Sequence, residues 1–233
     1  MTKNGKIIAL IFYVFLFDFT FCQETYSFND PNKSRYFFAP SAYPIGHEQT
    51  YFRDTWVFFP SFGYGVSDNL SIEGGMSIFP GGTFEQQAKL FALKYSLDKI
   101  NDNEQWASGL FYIGGSTGGI GIIFATVTRG NIDSNGSFSF GLGFLNEGHE
   151  IEFATNPTLV LSGKHRLSDT ISLVSENWIF TGIESDILPL VMNFGVRFFG
   201  KHITIDLSGL TSLEYIIEKG LVMPIPMIDF SYH

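Results

Sequence analysis

The chain has 233 residues, of which 45% are hydrophobic, 17% aromatic and 16% charged, with 26 Phe and 25 Gly. So many aromatics beside so few charges exclude a disordered chain, and glycine without a fixed period excludes a collagen-like one. Fourteen basic residues against 23 acidic ones, a formal net charge of −9, argue against nucleic acid as a partner, and the scarcity of Lys and Arg does not make an ordinary water-soluble surface.

At the start of the chain, Lys3 and Lys6 precede the apolar run Ile7–Phe17, and the small residues Thr20 and Cys22 stand ahead of Gln23. The run is too short for a spanning helix, which needs about 20 apolar residues. The pattern predicts a secretory signal peptide over 1–22, cleaved before Gln23, and a single exported domain over 23–233. Asp18 is unusual just past the apolar run. Cys22 as a lipidated residue is the competing reading, but Phe19-Thr20-Phe21 is a poor lead for it. Cleavage removes the chain's one cysteine, so the exported domain has no disulfide and no cysteine-based metal site or nucleophile.

From Gln23 onward the apolar period is two, with short segments separated by Gly, Asn, Asp and Pro, which is the pattern of strands and turns. The expected strands are 35–41, 50–66, 70–79, 88–97, 106–114, 119–128, 137–145, 157–167, 171–180, 187–199, 202–209 and 222–232. Over 56–66, Trp56, Phe58, Pro60, Phe62, Tyr64 and Val66 share one face. Over 137–144, Phe138, Phe140, Leu142 and Phe144 oppose Ser137, Ser139, Gly141 and Gly143. Residues paired across a hairpin point to the same face, which tests the assignment. A turn at Ser67-Asp68-Asn69 pairs Val66 with Leu70, Tyr64 with Ile72 and Phe62 with Gly74. A turn at Ser168-Asp169-Thr170 pairs Leu167 with Ile171 and His165 with Leu173. A turn at Gly200-Lys201 pairs Phe198 with Ile203 and places Arg197 opposite Thr204. Each register keeps one face apolar.

Twelve strands, short turns on the side of the termini and longer connections such as 146–156 and 209–220 on the other predict an all-β fold. It would be a closed antiparallel up-and-down transmembrane β-barrel, because hydrocarbon offers no partner to a free sheet edge. A soluble barrel or sandwich with the same face turned into a core is the competing fold. The expected lipid-facing residues include Trp56, Phe58, Tyr64, Phe138, Phe140, Phe194, Phe198, Phe230 and Tyr232. Signal peptide, alternating strands, the tight Ser-Asp-Asn turn and the final strand Ile228–His233 together resemble a small outer-membrane β-barrel of a Gram-negative bacterium. The segments 34–40 (SRYFFAP) and 173–178 (LVSENW) resemble a family of uncharacterised barrels of Bacteroidetes-type bacteria. The resemblance spans most of the exported domain, implies insertion by the barrel assembly machinery among outer-membrane lipids, and carries no chemistry to transfer. This chain ends on His233, one residue past the aromatic on which such barrels usually finish.

The opposite face collects Glu73, Lys94, Lys164, Glu176, Arg197, Asp206 and Asp229, an expected lumenal charge cluster in which Arg197 lies diagonal to Asp206. Charges inside a barrel are cheaper when paired or solvated, so the cluster either rigidifies a filled interior or lines a solute path. Val57, Phe59, Val174, Trp178 and Phe199 on the same face argue against a wide pore and leave room for an apolar ligand. Gly114-Gly115-Ser116-Thr117-Gly118 fits G-x-S-x-G, but it joins two strands where a nucleophile elbow joins a strand to a helix. Gly46-His47-Glu48 and Gly148-His149-Glu150 are placed on neighbouring outer loops, and neither continues to H-E-x-x-H. The acidic segment 98–104 does not fit an EF-hand loop and reads as a solvated turn. The sequence therefore predicts no catalytic residues, no cofactor and no metal. Its leading functional expectation is a monomeric porin-like barrel for passage or binding of a small solute or lipid. The alternatives are a plugged structural or adhesive barrel and, third, a lipid-modifying enzyme.

Overall fold

A computed structural model describes residues 26–98, 101, 103–147, 150–183, 187–220 and 224–233. The expected signal peptide, 1–22, lies outside the described residues. Thirteen strands follow one another: β1 Thr50–Thr55, β2 Phe59–Gly65, β3 Leu70–Met76, β4 Lys89–Ser96, β5 Glu104–Gly115, β6 Gly118–Gly130, β7 Ser134–Glu147, β8 Glu150–Phe153, β9 Thr158–Ser168, β10 Ile171–Phe180, β11 Leu190–Phe199, β12 Ile203–Ser212 and β13 Ile225–Tyr232. A short helix, α1 (Leu213–Lys219), joins β12 to β13. Each strand pairs antiparallel with its neighbour, β7 pairs onward with β9, and β1 pairs with β13. Twelve strands thus form a closed up-and-down barrel. The thirteenth, β8, lies outside the ring and folds back on the end of β7, with Phe144 opposite Phe153 and Glu147 opposite Glu150.

The expected strand 35–41 is not part of the wall. The chain from Tyr26 to Ile45 runs inside the barrel, with Tyr36, Phe37, Ala39 and Ala42 buried, and a tight turn at 36–39 closes through the Tyr36 N–H to Ala39 O bond. The expected strand 50–66 is two strands. Trp56 and Val57 both take positive φ, 56° and 66°, and reverse the chain so that Thr55 pairs with Phe59. The β-branched Val57 in that conformation is strained, and its side chain is exposed at the rim, not lumenal. One strand lost and one gained leave the ring at twelve.

The Ser67–Asn69 hairpin has the expected register, Tyr64 with Ile72 and Phe62 with Gly74. At Asp169-Thr170 the pair His165–Leu173 is present, but a bulge sets Ile171 against Ser168 and leaves Leu167 out of register. The Gly200 hairpin is shifted by two: Phe198 faces Ile205, and Arg197 faces Asp206 directly, not diagonally. An even shift preserves the face of every residue, which is why the parity argument survives the error.

Serine, threonine and charged residues point inward: Thr126, Thr128, Ser137, Ser139, Glu176, Arg197 and Asp206 are all buried. Phe138, Phe140, Phe194, Phe198 and Phe230 point outward and are exposed, as are Trp56, Phe58, Tyr64 and Tyr232. Large outward side chains sit beside glycines. A Cβ on Gly121 would strike the Phe144 ring, and Tyr112 stacks on that same ring with centroids 6.2 Å apart. The wall is apolar outside and, apart from an apolar patch that includes Phe59, Phe111 and Ile122, polar within.

Candidate functional site

The interior is organised around the segment 26–45, which we call the plug. Three lumenal side chains, Glu176, Arg197 and Lys94, grip its backbone, and a fourth, Lys164, grips the side chain of its Asp30. Glu176 on β10 accepts from three consecutive N–H groups, Phe37 at 3.0 Å, Phe38 at 2.9 Å and Ala39 at 2.8 Å, and from Trp178 Nε1 at 2.7 Å. Arg197 on β11 donates to Asp206 at 2.8 and 2.9 Å, to Asp30 at 3.2 Å, and to the carbonyls of Asn32, Arg35 and Tyr36. Lys94 on β4 places its ammonium on the carbonyls of Ser34, Ser41 and Tyr43 at 2.7–2.9 Å. Lys164 on β9 pairs with Asp30 at 2.6 Å. A buried charge is tolerated when its hydrogen-bond sites are filled, and here the plug fills them.

Asp229 on β13 takes Arg53 from β1, Arg35 from the plug at 3.3 Å and Thr55 at 2.7 Å. It therefore ties the first strand, the last strand and the plug to one carboxylate. At the end holding the termini, the Arg166 guanidinium lies 4.0 Å from the Tyr26 ring centroid and 4.9 Å from that of Phe199, and it donates to Phe28 O and Asp133. Glu73 is half-buried and accepts from Tyr51 at 2.8 Å and Ser61 at 2.7 Å. All seven residues of the sequence-derived cluster thus face the interior. Glu176, Lys94, Lys164, Arg197 and Asp229 touch the plug; Asp206 reaches it through Arg197.

Burial opposes a charge on Asp30, but Lys164 and Arg197 outweigh it and hold the carboxyl well below its usual range. Burial raises the Tyr36 phenol and pushes that of Tyr43 up to about 12, and it lowers Lys33. Asp30 is therefore ionised around neutrality. His233 behaves differently. Burial, then the nearby Arg35, depresses its ring from the ordinary 6.5 to about 4, and its Nε2 is buried without a hydrogen-bond partner. The unfolded chain binds this proton at a higher pH than the folded one, so the contribution is intact above pH 6.5 and is lost as the pH falls toward 4. The apparent melting temperature is expected to drop across that window, and the drop to shrink in His233→Phe; an unchanged slope in that variant would exclude the histidine as its source.

Beside the plug, on the β1–β6 side, lies a cavity of about 390 Å³. Its walls toward the end opposite the termini are Phe59, Phe111, Ile113, Ile122, Val160 and Trp178. Deeper in it reaches Arg35, Arg53, Glu73 and Lys94. Of the residues expected to be apolar and lumenal, Phe59 and Trp178 line this cavity and Val174 packs with Tyr36, Phe37, Ala39 and Val160. Sequence reasoning missed Arg35, Arg53 and Asp30. Arg53 alternates with the lumenal face of β1, whereas Asp30 and Arg35 belong to the plug, which strand parity does not reveal.

The remaining motifs do not assemble. Ser116-Thr117 is the exposed two-residue tip of the β5–β6 hairpin, with Gly115 paired to Gly118. His47 and Glu48 are not on an outer loop. Glu48 N–H bonds Gly65 O at the end holding the termini, whereas Glu150 begins β8 at the opposite end; Gly148 and His149 lie outside the described residues. Among the described residues no group of three or more His, Cys, Asp or Glu could hold a metal ion. No known family model matches the sequence, and no curated protein is significantly similar to it.

Proposed function

We propose that this chain is a bacterial outer-membrane barrel, exported with residues 1–22 removed, that captures an apolar ligand in its outer half and does not conduct freely. The observation that carries the reading is the pairing of a greasy exterior with an interior occupied by the chain itself. On the exterior, polar-tipped aromatics mark the barrel ends. Tyr64, Tyr95, Trp106 and Tyr232 stand at the end holding the termini, and Tyr112 and Trp56, the latter at the rim where it also borders the interior cavity, at the other, with Phe62, Phe91, Phe140, Phe194 and Leu207 exposed between. Such girdles suit the two water interfaces of a bilayer. In the interior, the plug and its ion pairs close the half nearer the termini, which disfavours a wide solute path. The cavity beside the plug falls within the range of about 300–1,000 Å³ usual for small-molecule sites.

A plugged structural barrel is the second reading, favoured by Arg197 and Glu176, both 0% exposed and with their hydrogen-bonding sites filled. Three experiments test the proposal. The protein should fractionate with outer membranes and migrate faster on gels before boiling than after. In planar bilayers it should show no steady channel. A soluble protein without heat-modifiable migration would overturn the membrane assignment, and stable conductance would restore a pore. A cavity that retains no apolar ligand on purification or titration would favour the structural role.

A further inference from the structure

We propose that the cavity receives a single-chain amphiphile with one negative charge, a long-chain carboxylate being the simplest case. Its head would lie at the deep end beside Arg35 and its tail would point toward the outer mouth. The inference rests on the capture reading above and adds the ligand's chemistry.

Polarity is segregated along the cavity. Phe59, Phe111, Ile113, Ile122 and Trp178 form a dry wall at the outer half, and the charged side chains gather at the other end. That segregation matches a molecule with one apolar and one polar end. A volume of about 390 Å³ is at the small end of ligand pockets, which suits one chain and not a two-chain lipid.

The sign of the head follows from the charges that line the deep end. Arg35, Arg53 and Lys94 stand against Glu73. Asp229 is shared by both arginines. Glu73 is held by Tyr51 and Ser61. The Lys94 ammonium spends its hydrogen bonds on backbone carbonyls, and no carboxylate among the described residues pairs with it. Three cations thus meet two carboxylates, Glu73 and Asp229, an excess of one positive charge by which a cationic head would be repelled. Arg35 is the cation placed to take the head. It lines the cavity, and its one carboxylate partner, Asp229 at 3.3 Å, is shared with Arg53, so a ligand carboxylate at the deep end would gain a charge-assisted bond.

The test uses the full chain in lipid nanodiscs and three probes of equal length: dodecanoate, dodecanol and dodecyltrimethylammonium. Binding is read as the difference from Ala92→Phe, which fills the cavity beside Phe111. Dodecanoate is expected to bind about tenfold or more tightly than dodecanol, with the cation weakest. Arg35→Met should erase the preference for the carboxylate while dodecanol still binds. Equal affinity for the alcohol and the carboxylate, or a preference for the cation, overturns the anionic head and leaves capture standing. No binding beyond the Ala92→Phe background overturns capture itself. Should Arg35→Met lose heat-modifiable folding, the three probes on the unaltered protein decide alone.

Discussion

Replacing Glu176 with alanine is expected to release the plug and open the barrel. The carboxylate accepts from the N–H groups of Phe37, Phe38 and Ala39 and from the Trp178 indole. Alanine leaves four donors facing a void, two of them buried and two partly so, each buried one costing about 1–3 kcal/mol when unmade, partly relieved by water. A net loss of about 3–5 kcal/mol follows, comparable to breaking a buried ion pair. The apparent melting temperature in detergent should fall steeply, and single-channel recordings should show openings that are not expected of the unaltered protein. Glu176→Gln keeps a carbonyl oxygen for the same nest and should fall between the two. A silent, fully stable Glu176→Ala protein would mean that the plug is held by its other contacts alone.

Arg197→Ala should be at least as damaging, by about 3–5 kcal/mol. Its guanidinium is fully buried and serves Asp30, Asp206 and three plug carbonyls at once. Removing it leaves Asp206 without its partner and Asp30 with Lys164 alone. Lysine is not an adequate substitute, because a single ammonium lacks the planar fork that spans two carboxylates and a row of carbonyls. Arg197→Lys should therefore recover little of the lost stability. Removing charge together should cost less than removing one side, so Arg197→Met with Asp206→Leu is expected to be more stable than Arg197→Ala. Thermal melts of the three variants, followed by the boiling-dependent gel shift, check the order. If Arg197→Ala melts with the unaltered protein, the interior is solvated enough to make its ion pairs dispensable.

The wall was legible because strand parity is a local property. Ser137–Phe144 alternates without exception, and the Ser67–Asn69 turn fixes its own register. The hairpin at Gly200 shows the limit: parity cannot distinguish a register from one displaced by two residues, so Arg197 was set against Thr204 where Asp206 stands. The two misplaced segments failed for different physical reasons. Residues 35–41 have strand composition, and nothing in a Phe-rich alternation says whether it lies in a wall or inside one. The signal that could have found the plug is proline. Pro31, Pro40 and Pro44 fall in one short stretch, and a strand paired on both sides tolerates none of them. The reversal at Trp56-Val57 had no such signal, since two bulky residues occupy positions where Gly or Asn is usual. The lumenal charges were readable one by one, but their partners were not, because those partners are backbone atoms of a segment far away in sequence.

The seam between β1 and β13 is registered over four residue pairs, Phe52–Tyr232 to Thr55–Asp229, against twelve at the β6–β7 ladder. Asp229 stitches that short seam from within by gripping Arg53, Thr55 and Arg35. Wall and filling are therefore energetically linked at this point: whatever loosens the amino-terminal segment from Asp229 should also weaken the closure of the cylinder.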